Sequence, residues 1–331
     1  MHVFDSERYA NMQYNRCGNS GLKLPEVSLG LWHNFGDTNH FSRMEAICRT
    51  AFDGGITHFD LANNYGPPAG AAERHFGQIL KTIFAGHRDE LIISTKAGYD
   101  MWDGPYGNWG SRKYLLASLD QSLQRMGLDY VDIFYHHRPD PETPLEETMG
   151  ALAQAVQCGK ALYVGLSNYD GEMMQKACTI LEKLHCPFVI NQNRYSMLDR
   201  TIEQNGMLTA CQETGKGLIV FSPLAQGLLT DRYLHGIIPE DSRIRTDGRF
   251  LNAEQLTEER LAMLQQLQTV AQNRGQKLAQ LAMQWILRQS AVTSVLIGAS
   301  KPEQVQDALE MVHQQKLVQA EIEEIEQILG K

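Results

Sequence analysis

The sequence predicts an α/β protein of the (β/α)8 TIM-barrel class, with an N-terminal β-hairpin and extra helices. Two observations support this prediction: short apolar runs rich in β-branched residues alternate with helical patterns, and this pair recurs at a spacing of about 30–40 residues. The runs are mostly continuous rather than alternating, which is typical of parallel strands covered on both faces. An open, doubly wound sheet is the other arrangement of such units. The presence of eight units favours a sheet that closes into a barrel.

Each run predicted as a strand is shorter than an ordinary helix. The predicted strands are residues 27–32, 56–62, 91–97, 130–135, 161–167, 188–192, 218–221 and 294–298. Three segments lie outside the repeat: a hairpin at residues 11–24 with its turn at 18–21, an insertion at 223–256, and a closing helix at 321–329. No linker or shift of composition divides the chain, so residues 1–331 are predicted to form a single domain.

Amphipathic periodicity predicts helices between these runs, and turn residues mark their ends. Glycine pairs or single glycines end several of them, as at Gly127 and Gly215, and Thr143-Pro144 is typical of a helix start. The predicted helices are residues 42–53, 73–84, 112–126, 145–158, 170–184, 205–214, 257–274, 278–288 and 302–312.

Composition and charge narrow the classes of function. The chain has 331 residues, 43% hydrophobic and 21% charged, which is ordinary for a globular protein and excludes disordered and fibrous classes. The net charge of -9 disfavours nucleic acid as a partner. No apolar stretch approaches the ~18 residues of a membrane span, and residues 1–14 lack the apolar core of a secretion signal. The six cysteines form no Cys-x-x-Cys pair, so a cytoplasmic protein with reduced thiols is expected.

The familiar nucleotide and metal signatures are absent from the sequence. It contains no G-x-G-x-x-G, no G-x-x-x-x-G-K-[ST] and no H-E-x-x-H. A nucleotide cofactor would therefore need another mode of binding, and no metal site is predicted.

Polar residues at the predicted strand ends suggest an enzymatic site. Asp60, Lys96 and His137 end three neighbouring strands, and Tyr65 follows the first of them. Each has an ordinary structural explanation, such as a simple ion pair between Lys96 and Asp60. Together they predict a proton-donating tyrosine: burial raises its pKa, a lysine lowers that pKa toward neutrality, and a carboxylate fixes the lysine. A neutral histidine can then hold a carbonyl oxygen.

The sequence resembles the aldo-keto reductase family over nearly its whole length, from about residue 14 to 312. The strings that carry the resemblance are GGITHFDLANNYG at 54–66, STK at 94–96, YVDIFYHHRPD at 130–140, GLSN at 165–168, FSPLA at 221–225 and IGAS at 297–300. Residues 30–36 and 94–105 are similar to the bacterial L-glyceraldehyde 3-phosphate reductase branch, which is close to potassium-channel β-subunits.

The resemblance implies roles for the residues at the strand ends. Tyr65 would be the general acid, tuned by Asp60 and Lys96. Two histidines are adjacent, and the family motif places the active one directly before Arg-Pro, which selects His137. His136 would point to the other side of its strand and is interpreted as structural.

The resemblance also implies NADPH/NADP+ as the cofactor. Ser167, Asn168 and Gln192 would hold the nicotinamide carboxamide, and Phe221 would stack on the ring. The other implied contacts are Trp32 and Asp60 near the nicotinamide, Ser222, Leu224 and Gly227 at the pyrophosphate, Arg232, Arg243 and Lys301 at the adenosine phosphates, and Gly298, Ser300 and Gln304 in the phosphate and adenine segment. Asp307-Ala308 replaces the family's usual Glu-Asn, which removes one adenine contact.

The implied substrates are small aldehydes of the glyceraldehyde 3-phosphate or methylglyoxal type. An aromatic loop at residues 99–109 suits a lid over such a substrate, although it could equally pack on itself. No basic residue is assigned to a substrate phosphate by the sequence. A weakly held homo-oligomer, a tetramer or larger, is expected from the resemblance.

Two other functions compete with the reductase. An NADPH-sensing regulatory module, like the channel β-subunits, is the first, and those relatives carry Asn where this chain has His137. A barrel aldolase that uses Lys96 as a Schiff base is the second. The complete set of four residues favours the reductase, and a neighbouring Asp60 would keep Lys96 charged and disfavour the aldolase.

Overall fold

The computed structural model describes residues 3–330, except residues 235, 237, 241, 247, 249 and 250 and the side chains at positions 243 and 246. Its first two strands, β1 (Tyr14–Arg16) and β2 (Lys23–Pro25), pair as an antiparallel hairpin. In their turn the amide of Cys17 donates to the carbonyl oxygen of Leu22. The predicted hairpin is therefore confirmed, and a bond from the Cys17 thiol to the Val189 carbonyl oxygen, 3.3 Å long, ties it to the barrel.

The barrel strands follow the hairpin along the chain. They are β3 (Val27–Gly30), β4 (His58–Asp60), β5 (Ile92–Ala97), β6 (Val131–His136), β7 (Ala161–Ser167), β8 (Phe188–Arg194), β9 (Gly217–Phe221) and β10 (Val292–Ile297). Within the described chain, each pairs in parallel with the next and β10 closes on β3. The predicted (β/α)8 barrel is confirmed. Most strand residues are buried, because helices cover the outside and side chains fill the interior.

Helices connect the strands and surround the barrel. They are α1 (Phe41–Asp53), α2 (Ala71–Lys81), α3 (Arg112–Met126), α4 (Leu145–Gln157), α5 (Gly171–Lys183), α6 (Thr201–Gln204), α7 (Met207–Thr214), α8 (Arg243–Thr246), α9 (Glu258–Asn273), α10 (Leu278–Leu287), α11 (Pro302–Val312) and α12 (Gln319–Ile328). Ser111 caps α3 by accepting from the Tyr114 amide, and Gly127, with φ 68°, ends it. None of the described helices has the length and apolar character needed to cross a bilayer.

Helix α2 begins two residues earlier and ends three residues earlier than the periodicity predicts. Its first residues, Ala71 and Ala72, are buried, but two alanines add little to a hydrophobic pattern. The Thr82 hydroxyl donates to the carbonyl oxygens of Gln78 and Ile79. These bonds satisfy carbonyl groups at the end of the helix and compete with its continuation.

Candidate functional site

Four polar side chains come together at the C-terminal end of the barrel. Asp60 is the last residue of β4, and Lys96 lies one residue before the end of β5. His137 directly follows β6, and Tyr65 lies in the loop after β4. These are the four residues that the sequence predicted for the chemistry, and the parallel barrel places them at one end.

Lys96 and Asp60 form a fully buried ion pair. The Lys96 Nζ lies 2.5 Å from Asp60 Oδ2, and neither side chain is exposed. The ammonium also donates to the Leu61 carbonyl oxygen at 2.7 Å and to the Tyr65 hydroxyl at 3.4 Å. Asp60 Oδ1 accepts from the Ser94 hydroxyl at 2.6 Å. Both charges are thus paired and hydrogen-bonded, which burial of an ion pair requires.

The Tyr65 hydroxyl is held in its protonated form. Burial raises the pKa of Tyr65 well above its usual value, and the charge of Asp60 adds to the rise. Burial lowers the pKa of Lys96, and the Asp60 carboxylate opposes that fall. Burial and the charge of Asp60 thus hold Tyr65 in its protonated form, and a lowering of its pKa by Lys96 stays a prediction.

The ring of His137 faces the tyrosine. Its centroid lies 5.9 Å from that of Tyr65 and 4.6 Å from that of Tyr99, both edge to face. Burial and the charge of Lys96 lower the pKa of His137 well below its usual value, so the ring is neutral at neutral pH. Its Nδ1 is buried and has no hydrogen-bond partner among the described residues. A neutral ring in this position can hold the oxygen of a bound carbonyl group.

His136 makes a different set of contacts. Its Nδ1 lies 2.7 Å from the hydroxyl of Tyr169. Burial lowers the pKa of His136 to about 4. These contacts agree with the structural interpretation of His136, since they tie β6 to the segment after β7.

A glycine lets the ends of β5 and β6 lie close together beside the site. A Cβ placed on Gly98 would lie 2.8 Å from the Cβ of His137, closer than side chains pack. The position of the His137 ring therefore depends on the absence of a side chain at residue 98.

The residues predicted to hold a nicotinamide carboxamide are linked to this group. The Asn168 side-chain amide donates to Ser167 Oγ at 3.2 Å and to the His137 carbonyl oxygen at 2.9 Å. The Asn168 backbone amide donates to the Gln192 carbonyl oxygen at 3.0 Å. Gln192 Nε2 lies 3.3 Å from Asp60 Oδ1. Hydroxyl and amide groups of this kind are the partners that a carboxamide requires.

Two predicted aromatic contacts are half-buried near the same end of the barrel. The Trp32 ring lies 6.4 Å from the Tyr65 ring, measured between centroids. Phe221 is the last residue of β9, and the Arg194 guanidinium lies 5.9 Å from its ring. A partly exposed aromatic ring can stack on a planar group such as a nicotinamide.

The loop after β9 has an unusual backbone. Ser222, Ala225 and Gln226 have φ of 57°, 47° and 59°, and Gly227 has φ of 99°. For residues other than glycine this conformation costs about 1–3 kcal/mol each and is found at ligand clamps. Turned backbone of this kind directs N–H groups toward anionic groups. The predicted pyrophosphate contacts Ser222, Leu224 and Gly227 all lie in this loop.

The predicted adenine and phosphate segment surrounds the start of α11. The amide and hydroxyl of Ser300 donate to Gln304 Oε1 at 2.7 and 3.2 Å, so these two predicted contacts bond each other. Lys301 is exposed directly before α11. Gly298 is exposed, and the space where its Cβ would lie is open.

The remaining predicted cations belong to the insertion. Arg232 is half-buried in a single-turn helix. Arg243 begins α8, but its side chain lies outside the described residues. At the departure from the family pattern, Asp307 pairs with Lys277 at 2.5 Å, and Ala308 is buried. These two residues therefore serve the packing of α11.

Sequence reasoning missed a chain of polar side chains inside the barrel. The two ring nitrogens of His58 lie 2.9 Å from the hydroxyls of Ser28 and Ser94, and Ser28 meets Ser294 at 2.7 Å. Since Ser94 also donates to Asp60, the chain ends at the buried ion pair. Each of four apolar strands contains one of these polar residues, and that pattern could have predicted the polar chain.

Comparison with known proteins shows which family the chain belongs to. A model of the Aldo/keto reductase family matches residues 26–330. The chain belongs to the aldo/keto reductase family. It is thus an oxidoreductase of this family, and both the resemblance and the fold expected from it are confirmed.

This aldo/keto reductase has close relatives in sequence and in structure. It is 56% identical over 324 residues to the L-glyceraldehyde 3-phosphate reductase of Escherichia coli strain K12, covering 97% of this chain and 93% of that protein. It is 34% identical over 298 residues to a probable voltage-gated potassium channel subunit beta of Oryza sativa subsp. japonica, covering 89% of each. The crystal structure of a thermostable aldo-keto reductase with the inhibitor epalrestat matches with a TM-score of 0.74, at 29% identity over 96% of this chain and all of that one.

Proposed function

We propose that this aldo/keto reductase reduces small aldehydes, of the glyceraldehyde 3-phosphate or methylglyoxal type, to alcohols with NADPH. One observation carries the proposal: the buried pair of Lys96 and Asp60 lies at hydrogen-bond distance from the protonated hydroxyl of Tyr65, next to the neutral ring of His137. The 56% identity to an L-glyceraldehyde 3-phosphate reductase supports an aldehyde as the substrate.

Carbonyl reduction adds a hydride to carbon and a proton to oxygen. In the proposed reaction, the aldehyde oxygen accepts hydrogen bonds from Tyr65 and His137, which polarises the C=O bond. The developing alkoxide takes the proton of Tyr65, and the Lys96 ammonium, 3.4 Å away, stabilises the phenolate that forms. Asp60 holds the ammonium in place. A proton from water then restores the tyrosine, which completes the balance.

A nicotinamide cofactor supplies the hydride when it is bound. Ser167, Asn168 and Gln192 would orient its carboxamide, and their connected hydroxyl and amide groups fit that chemistry. Phe221 would cover the ring. The turned backbone of the loop at residues 222–227 would lie against the pyrophosphate.

We propose NADPH rather than NADH because cations lie in the segments expected around the adenosine. Arg232, Arg243 and Lys301 would meet the extra 2′-phosphate, since arginine and lysine recognise phosphate strongly.

A reducing compartment, the cytoplasm, is supported by the free thiols of all the cysteines, which include the exposed Cys158.

The proposal is tested with purified protein, a panel of aldehydes and either NADPH or NADH, by following the absorbance of the reduced cofactor. We expect oxidation of NADPH with glyceraldehyde 3-phosphate and methylglyoxal, and a much lower kcat/KM with NADH. Tight NADPH binding without turnover of any aldehyde would favour the regulatory module, for which the channel β-subunit relatives are the argument. Equal use of both cofactors would reject the proposed NADPH preference.

A further inference from the structure

Arg138, directly after His137, is held in place by uncharged groups. Its Nε donates to the Gly98 carbonyl oxygen and its Nη2 to Asn108 Oδ1, both at 2.9 Å. The guanidinium also stacks over two aromatic rings, 3.7 Å from the centroid of Trp109 and 4.2 Å from that of Tyr99. These contacts fix the half-buried side chain without neutralising its charge.

Two acidic side chains in the neighbouring segments, Asp100 and Asp140, are committed to other donors. Asp140 accepts from the backbone amide of Gly110 at 2.9 Å, and Asp100 accepts from the Asn108 side chain. In the part of the chain that the structure describes, no carboxylate lies at ion-pair distance from Arg138. Arginine has five N–H donors, and two of them take the acceptors already named. Three N–H groups and the whole positive charge therefore remain for an external anion.

A series of ring contacts connects this cation with the proposed site of reduction. The Arg138 guanidinium lies over Tyr99, the Tyr99 ring packs against His137, and the His137 ring faces Tyr65. The cation thus lies one aromatic ring away from His137, beside the proposed site of reduction. Because the net charge is -9, an anionic substrate would gain from a local cation at the site.

We propose that Arg138 recognises the phosphate of a phosphorylated aldehyde whose carbonyl group lies at Tyr65 and His137. The planar guanidinium would bind the phosphate through two parallel hydrogen bonds, and Tyr99 and Trp109 would keep it oriented. This inference rests on the proposed function and narrows its substrate class to aldehydes with an anionic group. An uncharged aldehyde of the same length would not use Arg138.

The experiment compares glyceraldehyde 3-phosphate with glyceraldehyde, which differ only in the phosphate group. In Arg138→Gln we expect KM for the phosphorylated aldehyde to rise roughly tenfold to a hundredfold, the loss typical of charged hydrogen bonds. KM for glyceraldehyde should change less than about twofold, because no phosphate is present to lose its partner. Lys113→Gln is the matched control, since Lys113 is an exposed cation beside Tyr106 in the same region, and both KM values should stay unchanged.

Two further measurements keep the inference testable if Arg138→Gln does not fold. Inorganic phosphate should inhibit glyceraldehyde reduction by the native enzyme competitively, and Arg138→Lys should retain part of the preference for the phosphorylated aldehyde. An equal rise in KM for both aldehydes in Arg138→Gln would overturn the inference and would show that Arg138 has a purely structural role. An unchanged KM for the phosphorylated aldehyde would also overturn it. If the native protein reduces neither aldehyde, the proposed function itself fails.

Discussion

The hydroxyl of Tyr65 keeps its proton in surroundings that resist ionisation. Burial raises the pKa of Tyr65, and the Lys96 ammonium 3.4 Å away is already paired with Asp60. In the proposed reaction, the proton leaves the tyrosine only when negative charge develops on the bound carbonyl oxygen. Stabilisation that arises only in the transition state lowers the barrier of the chemical step, whereas equal binding of the substrate does not.

The two adjacent histidines should respond differently to replacement. In His137→Ala the carbonyl oxygen loses an orienting partner, so we expect kcat to fall by roughly 10²-fold or more. His136→Ala should mainly lower the melting temperature, because it removes the bond to Tyr169. Steady-state kinetics and thermal unfolding of both variants measure this. Loss of turnover in His136→Ala alone would reverse the assignment.

At the level of elements, the order of strands and helices was predictable, whereas several ends were not. Continuous apolar runs identified every barrel strand, because parallel strands are buried on both faces. The end of α2 depends on where the Thr82 hydroxyl bonds to the backbone, which a hydrophobic pattern does not contain. The last helix was expected at residues 321–329 and extends over Gln319–Ile328.

The site shows the same division between what sequence can and cannot predict. The strand-end residues were predictable, because a closed parallel barrel brings all strand ends to one rim. The rise in the pKa of Tyr65 through burial was predictable in direction, whereas the added rise from Asp60 depends on atoms that only the folded chain brings together. The isolated charge of Arg138 was equally hidden, since it depends on Asp100 and Asp140 bonding elsewhere.

Glu326 ties helix α12 to side chains of α10 and of the segment before α6. Glu326 accepts from the Trp285 indole at 3.0 Å, from Arg288 at 3.2 Å and from Arg200 at 2.5 Å. We expect Glu326→Ala to lower the free energy of unfolding by about 2 kcal/mol, because partly buried donors lose a charged partner. Denaturant unfolding measures the change. Glu324→Ala, exposed on the same helix, should cost less than about 0.5 kcal/mol, and equal effects would contradict this role of Glu326.

For the whole molecule, the polar chain inside the barrel links folding to pH. His58 is bonded through both nitrogens to serine hydroxyls, and burial lowers its pKa to about 4. The unfolded chain binds a proton at this residue below about pH 6.5, whereas the folded chain does so only near the lowered value. The stability that neutral His58 contributes is therefore complete above about pH 6.5 and is lost as the pH falls toward 4.

This linkage predicts that the free energy of unfolding depends more steeply on pH in the native protein than in His58→Asn. The variant has no titrating ring at that position. The native protein should be the more stable at pH 7. The gap should narrow by up to about 1.4 kcal/mol per pH unit between about pH 6 and 4.5. Denaturant unfolding of both proteins across that range measures the gap. A gap that stays constant with pH would show that His58 is not buried in its neutral form.

The most direct test of the account is the turnover of Tyr65→Phe, measured with NADPH and glyceraldehyde 3-phosphate. The variant lacks one oxygen atom and keeps the ring, so packing against His137 should be preserved. We predict that kcat falls by the ~10²–10⁴-fold typical of a lost general acid. NADPH binding, followed by quenching of tryptophan fluorescence, should stay near the native value. A Tyr65→Phe enzyme that binds NADPH and reduces the aldehyde at the native rate would contradict the assignment of Tyr65 as proton donor.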